Sequence, residues 1–272
     1  MGGYHLGYSD TEHERLIRQA QRLARVTERF FRDAGIGPGQ RVLDVGSGVG
    51  DVAMVAAKLV GPGGQVVGIE RDERSIERAR RRAAEANLHN VALVRADVAE
   101  YSPQTPLDAV VGRYVLQFLP DPVAVLRSLA ANVRPGGVVA FQEGSWTPFV
   151  ALSASLPLWS AVVSLLREAA LRAGVNVEMG IDQYQVFQAA GLPAPKMRLE
   201  MELGCDPDFV RWGADCVQSV LPQFRRFALS LGALGDLETL EQRLREEVAQ
   251  SNTVVPWIGL VGAWCRTPTA AA

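Results

Sequence analysis

The first chemistry legible in this chain is a ten-residue stretch, VLDVGSGVGD, at residues 42–51. An apolar run passes Asp44 and opens into glycines at alternate positions, Gly46, Gly48 and Gly50, with Ser47 between the first two and Asp51 after the last. Glycine lets a backbone pass close to a ligand where a Cβ would collide. Counted from Gly46, the dinucleotide fingerprint G-x-G-x-x-G needs a small residue at position 51, and Asp51 stands there. A pyrophosphate needs the positive N-terminal end of the following helix for itself. An acid at that end, with Asp44 just before the loop, repels it. The loop therefore suits a nucleoside without phosphates, one that carries positive charge.

Two further acids fit that nucleoside. Glu70 ends the run VVGIE, about 20 residues past the loop, where a carboxylate accepts hydrogen bonds from ribose hydroxyls. Asp97, in VRADV, is placed to bond the exocyclic amine of an adenine, with Val98 against the ring. S-adenosylmethionine combines such an adenosine with a sulfonium cation and no phosphate. A glycine loop alone also describes an ordinary strand-to-helix turn. The ordered set Asp44, Gly46, Gly48, Gly50, Glu70 and Asp97 carries the reading.

Those residues have to be held at the ends of neighbouring strands. Short apolar runs alternate with helical stretches: strands over 41–46, 65–71, 91–98, within 107–118 and over 138–144, and helices over 51–60, 75–87 and after Asp121-Pro122, ended by RPGG at 134–137. That alternation predicts βαβ units and a parallel sheet, and the nearly continuous apolar strands predict helices on both faces. Upstream, Leu16, Ala20, Leu23, Thr27, Phe30 and Ala34 recur at helical spacing over 11–34, with a Ser9–Glu12 capping box and Gly35 as the stop. After residue 144 the rhythm changes. Helical segments over 145–175, 183–191 and 206–250 enclose a strand at 194–203, and a last strand spans 254–266, where Pro256 marks an edge or bulge.

The 272 residues, 48% hydrophobic and 21% charged with a net charge of −2, are enough for one full core with an added cap and show no basic field for nucleic acid. Arg78, Arg80, Arg81 and Arg82 form the one basic run and read as a solvated helix surface. Three cysteines (Cys205, Cys216, Cys265) lack CxxC spacing and do not gather with His5, His13 or His89, so neither a disulfide framework nor a zinc site is expected. The polar N-terminus has no signal-peptide core, and the longest apolar stretch, near 254–264, falls short of the ~20 residues that span a bilayer. The chain reads as a cytoplasmic protein with no membrane partner. Homodimerisation is open, and nothing in the chain fixes the oligomeric state.

With these elements in order, the chain resembles the class I S-adenosylmethionine-dependent methyltransferases, on the motifs VLDVGSGVGD, VVGIER, VRADV, LDAVVGRYVLQFL and RPGGVVAFQE across about residues 38–144. The resemblance implies a doubly wound, Rossmann-like α/β fold of seven strands, the last antiparallel and inserted beside the fifth. It divides the chain into an N-terminal arm and helix (1–35), a cofactor-binding core (36–144) and a C-terminal half (145–272). Helical insertions at about 145–180 and 204–250 would cap the acceptor site. Gly46, Ser47 and Gly48 would line the cofactor, Asp44 would stand behind them, Glu70 would hold the ribose, and Arg71, Asp97 and Val98 would surround the adenine. Arg113, at the end of the fourth strand, falls where the family faces the methionine end and the acceptor, followed by Tyr114 and Gln117. The stretch YHLGYSDTE resembles an arm that folds over the cofactor, bringing Tyr4, His5 and Tyr8 to cofactor or acceptor.

Methyl transfer from a sulfonium is an in-line displacement governed by positioning and desolvation, and a general base is needed only when the acceptor must lose a proton. Glu143, ending the fifth strand, and His5 are the candidate bases. The aromatic residues of the insertions, among them Trp146, Trp159 and Tyr184, are candidates to line a pocket for a small, partly hydrophobic acceptor, although most such residues would form the cap's own core. Two other classes remain: a non-catalytic S-adenosylmethionine-binding protein, and an NAD(P)-dependent oxidoreductase, which Asp51 and the missing Tyr-x-x-x-Lys motif disfavour.

Overall fold

The structure, a computed structural model, describes residues 10–269. Seven strands form one sheet: β1 Arg41–Val45, β2 Gln65–Glu70, β3 Val91–Arg95, β4 Leu107–Arg113, β5 Val133–Ser145, β6 Lys196–Glu200 and β7 Gly259–Arg266. Their order is β3-β2-β1-β4-β5-β7-β6. The first five run parallel, and β7 is antiparallel to both β5 and β6. The expected seven-stranded, doubly wound sheet with its antiparallel strand beside the fifth is present. Strand order reverses between β1 and β4, so the loops after β1 and β4 open onto one crevice.

Helices α1 Asp10–Ala34, α2 Asp51–Val60, α3 Glu73–Glu85, α4 Pro122–Ala131 and α7 Met179–Ala189 accompany the sheet, while α5 Trp146–Ser153, α6 Pro157–Arg172, α8 Pro207–Arg226 and α9 Leu240–Gln250 stand apart as a cap. Local signals set several starts. Asp72 accepts the Ser75 N–H at the head of α3, Asp121 accepts the Ala124 N–H with Pro122 in the first turn of α4, and Asp206 caps α8 ahead of Pro207.

Three boundaries differ from the sequence expectation for a physical reason. Strand β3 stops at Arg95, so Asp97 and Val98 lie in the loop beyond it. RPGG does not precede β5 but interrupts it: Val133 pairs with Leu107, and the ladder resumes only at Val138 opposite Ala109. The glycines let the extra residues loop out and the strand rejoin its neighbour. Pro256 sits in a two-residue ribbon, Leu203–Gly204 against Val255–Pro256, which closes the base of the α8–α9 segment ahead of β7.

One face of the sheet packs against α1 and α2 through Phe30, Phe31 and Val42, and the other against α4 and α7 through Leu126, Phe187 and Val139. The cap has its own core around Phe149, Trp159, Trp212, Phe224 and Trp257. Trp159 is fully buried there, and its ring centroid lies 6.4 Å from that of Trp212. It holds the cap together and does not reach a pocket, contrary to its expected acceptor role. Tyr184 also departs from that role: it lies on the outer side of α7, 47% exposed.

Because the cap core centres on these rings, we expect Trp159→Ala to cost about 3–5 kcal/mol in chemical denaturation, with the far-ultraviolet signal of the folded sheet retained at low denaturant.

Candidate active site

The crevice beyond β1, β2, β3 and β4 is a pocket of about 720 Å³ that continues under the cap. Its floor begins at the glycine loop. Gly46 has φ +63, and a Cβ there would come 2.9 Å from the Val115 side chain, so the position admits no larger residue. Gly48 has φ +50, and nothing stands within 4 Å of where its Cβ would be. That open space belongs to the pocket, and a side chain would fill it. The Ser47 N–H donates to the Ile69 carbonyl at 2.9 Å, pinning the loop to β2.

Glu70 closes one side. Its Oε2 accepts the Gly48 N–H at 3.1 Å, and its Oε1 accepts the Arg71 and Asp72 N–H groups at 2.7 and 3.1 Å. Three backbone donors fix the carboxylate, and with about four lone-pair sites available it retains capacity toward the pocket. Asp97 accepts the Ala99 N–H at 2.9 Å through Oδ1, while Oδ2 lies 3.7 Å from Arg71. Arg71, Asp97 and Val98 all line the pocket.

Asp44 is almost wholly buried behind the loop, and neither carboxylate oxygen meets a partner of normal hydrogen-bond geometry. Burial pushes its pKa well up. The charge of Arg113 is the main counterweight, followed by the nearby Ala53 amide, whose contact falls short of normal hydrogen-bond geometry. The buried Ser47 hydroxyl is also unpartnered. Orphaned acid beside an open cradle is the environment in which a cation gains most.

Asp51 requires a correction. Its carboxylate pairs with Arg82 at 2.6 Å, and both side chains are largely buried. Burial raises its pKa and Arg82 opposes that shift. The repulsion expected between Asp51 and a phosphate is thus largely compensated. Arg82 is not part of a solvated surface: it also donates to the Val49 carbonyl at 2.5 Å. The loop's case against phosphate now rests on Asp44 and on Glu70 occupying the far side.

At the end of β4, Arg113 lines the pocket and donates to the Thr27 hydroxyl at 2.9 Å. Thr27 in turn donates to Gln142 Oε1 at 2.8 Å, linking α1 to β5. Tyr114 then takes a left-handed conformation, φ 57, uncommon for a large side chain. What holds it there is Glu143. The Glu143 carboxylate is fully buried and accepts the backbone N–H groups of Val115 and Leu116 at 2.8 Å each and of Gln117 at 3.4 Å. The expectation that Glu143 acts as a general base is therefore overturned by geometry: its oxygens are committed to the backbone and it does not line the pocket. It is a clamp that shapes the turn carrying Tyr114 and Gln117, both of which do line the pocket. Tyr4, His5 and Tyr8 lie outside the described residues.

Trp146 faces the pocket as expected. Sequence reasoning missed Arg15, Leu16 and Gln19 of α1 and Cys216 and Val220 of α8 as pocket residues; Trp212, one of the aromatic residues the insertions offered, lines the pocket with the last two as one wall. The α8 row repeats at i, i+4, i+8 and was legible as one helix face. Arg15 was not, because its charge is matched inside the fold by Glu12, whose oxygens it meets at 2.7 Å each.

These features have parallels in known proteins. Residues 36–191 match the family model described as a methyltransferase domain. Over 104 residues the chain is 40% identical to aklanonic acid methyltransferase DauC of Streptomyces sp. (strain C5), covering 38% of this chain and 47% of that one. Over 103 residues it is 35% identical to the demethylmenaquinone methyltransferase of Listeria monocytogenes, covering 38% and 44%. It is also 36% identical over 110 residues to a protein-L-isoaspartate O-methyltransferase of Methanothrix thermoacetophila, covering 40% and 50%. The chain spans about half the length of the curated relatives it matches. In fold it resembles a proposed methyltransferase from Bacillus halodurans (TM-score 0.60, 16% identity, 89% of this chain and 99% of that one) and the [4+2]-cyclase SpnF (TM-score 0.53, 17% identity, 92% and 83%). The chain belongs to the methyltransferase-domain family, with the fold and cofactor cradle of the class I S-adenosylmethionine-dependent methyltransferases.

Burial raises the Glu143 carboxyl to about 7, opposed by its three N–H donors. The folded protein thus binds this proton more tightly than the unfolded chain does. Its stabilising contribution is complete below about pH 4.5 and is lost as pH rises through about 7. We expect the unfolding free energy of the native protein, relative to Glu143→Gln, to fall by about 3 kcal/mol between about pH 4 and about pH 8, measured by denaturant titration at each pH.

Proposed function

We propose that the protein transfers a methyl group from S-adenosylmethionine to a small, partly hydrophobic acceptor held beneath the helical cap. The observation carrying this reading is the continuity of the pocket. One cavity runs from the Gly46–Gly48 loop and Glu70 to a lobe walled by Trp146, Leu166, Ala170, Trp212 and Val220. A cofactor in the first part would present its reacting end toward a molecule in the second.

The residues present fit the cofactor. Gly48 leaves the space it needs, Asp44 is a buried acid behind the loop whose raised pKa a nearby cation would bring down, and Glu70 at the end of β2 and Asp97 just past β3 stand where hydroxyl and amine groups of an adenosine are held. Arg113 is placed to meet its carboxylate. When bound, S-adenosylmethionine supplies an electrophilic methyl group on a sulfonium sulfur. The chain's own part is to orient and to exclude water. The Glu143 clamp sets the turn at Tyr114–Gln117, α1 closes one side through Arg15, Leu16 and Gln19, and the apolar cap wall desolvates the acceptor. Two of the relatives above are named for the acceptors aklanonic acid and demethylmenaquinone, which supports a small-molecule acceptor here. The third is named for a protein acceptor, and the cap over this pocket favours the smaller kind. No helix of the described residues is long and apolar enough to cross a membrane.

Calorimetry with S-adenosylmethionine, S-adenosylhomocysteine and NAD tests the cofactor reading, and radiolabelled methyl transfer to a panel of small aromatic acceptors tests the activity. Binding of NAD alone would sink both. Gly48→Val should weaken S-adenosylhomocysteine by more than about tenfold, a change of at least about 1.4 kcal/mol, by filling the cradle and straining the loop at φ +50, while the far-ultraviolet spectrum stays that of the native sheet.

A further inference from the structure

The far side of the molecule from the glycine loop ends in an open strand. Among the described residues β6 pairs only with β7, so its other side is a free edge of the sheet. A free edge is a template for a further strand, and proteins that stay monomeric blunt it, commonly with charged side chains. Charge of one sign repels a second copy in every register. β6 carries both signs, and their order is specific. The strand and the two residues after it read Lys196-Met197-Arg198-Leu199-Glu200-Met201-Glu202.

The two faces of this strand are sorted. Lys196 stands opposite Trp264 in the ladder, and the Arg198 guanidinium lies over the same ring and reaches Asp33 of α1 at 2.7 Å. Glu200 meets Arg29 of α1, and Arg22 of the same helix opposes the burial that raises the Glu202 carboxyl. The charged residues therefore share the α1 face. Met197 packs into the core under α4 and α7. Leu199 stands opposite Val261, whose side chain lies 2.8 Å from where a Cβ on Gly180 of α7 would be, which puts Leu199 on the α7 face. It is 49% exposed there, and the outer side of α7 adds the exposed Ile181 and Tyr184.

We propose that β6 pairs antiparallel with β6 of a second copy about a twofold axis at Leu199, joining two seven-stranded sheets into one. In that register Arg198 stands opposite Glu200 and Lys196 opposite Glu202, each pair occurring twice by symmetry. On the other face Met197 stands opposite Met201, and Leu199 meets its own copy. Opposite charges and apolar pairs facing one another across strands are stabilising, and like charges are not. Moving the axis to Arg198 or Glu200 sets like charges face to face, and a parallel pair sets every residue against its own kind. The order of the charges thus selects both direction and register. The links of Arg198 to Asp33 and of Glu200 to Arg29 are compatible with it, because a guanidinium and a carboxylate so engaged keep further hydrogen-bonding capacity. The opposite edge of the sheet, β3, reads Val91-Ala92-Leu93-Val94-Arg95 and has no acid to answer its arginine. This assembly does not depend on the methyl-transfer reading.

The test is sedimentation velocity of the full chain over a concentration series at low salt. The native protein should sediment as a dimer. Lys196→Glu sets two acids opposite Glu202 of the other copy, and Leu199→Lys sets two ammonium groups at the axis. Each should weaken the dimer at least about tenfold. Both side chains are exposed, so the thermal midpoint and far-ultraviolet spectrum should stay near native. Glu202→Lys should weaken the dimer in the same way. An equimolar mixture of the Lys196→Glu and Glu202→Lys proteins should form a dimer again, since every charge then meets its opposite. If Glu202→Lys fails to fold, Lys196→Glu and Leu199→Lys still decide. A native protein that is monomeric at every concentration, a dimer that either of those two variants leaves untouched, assemblies that grow past two copies, or folded single variants that do not recombine overturns the proposal.

Discussion

The site depends on one buried carboxylate accepting three backbone N–H groups. The turn after β4 has to leave the sheet, reverse direction and carry Tyr114 in a left-handed conformation. Left alone, the amides of Val115, Leu116 and Gln117 would be buried donors without partners. Glu143, on the adjacent strand β5, takes all three. These hydrogen bonds satisfy the amides of the strained turn and oppose the desolvation that raises the Glu143 pKa. The parallel register of β4 and β5, with Arg113 opposite Gln142, brings the acid to the turn.

Helix α1 extends the same logic across the top of the sheet. It buries polar residues as well as apolar ones: Thr27 relays between Arg113 and Gln142, Arg15 is held by Glu12, and His13 meets the Ser75 hydroxyl at 3.0 Å. Ser75 is bonded to Asp72, whose own N–H goes to Glu70. The helix is thus joined by hydrogen bonds to both the strand end that carries Arg113 and the pocket-lining acid Glu70, and it forms a wall of the pocket with fixed contacts at either end.

The architecture was legible because its signals are local and repeated. Apolar runs that end at Asp44, Glu70 and Arg113, glycines at fixed offsets, and Asp121-Pro122 at a helix start each act over a few residues, and the sheet follows from their alternation. Glu143 was visible at the end of a strand but its role was not, since its partners are amides 26–28 residues away and amides carry no sequence identity. Arg82 and Asp51 form a pair across two helices that composition alone presents as a surface charge and a loop acid. Trp159 and Tyr184 carried the same aromatic signal as Trp146. What separated the three was which side of its helix each occupies, Trp146 and Trp159 in a cap assembled from distant segments and Tyr184 on a helix packed against the sheet. Long-range pairing of this kind is set by tertiary packing, which propensity and periodicity do not encode.

The position of β7 has a consequence for how the chain is made. It is the last strand in sequence and lies in the interior of the sheet, hydrogen-bonded to β5 on one side and β6 on the other. During synthesis, β5 leaves the ribosome more than a hundred residues before its partner and presents an open edge from Val138 to Ser145 throughout that interval. Such edges recruit other strands, which makes them points of misassembly. The long α6 and α8 helices emerge in this window. Their apolar faces pack on each other in a cluster that contains no residue of β7, so the cap has the contacts to collapse while the nascent sheet still waits for its final strand.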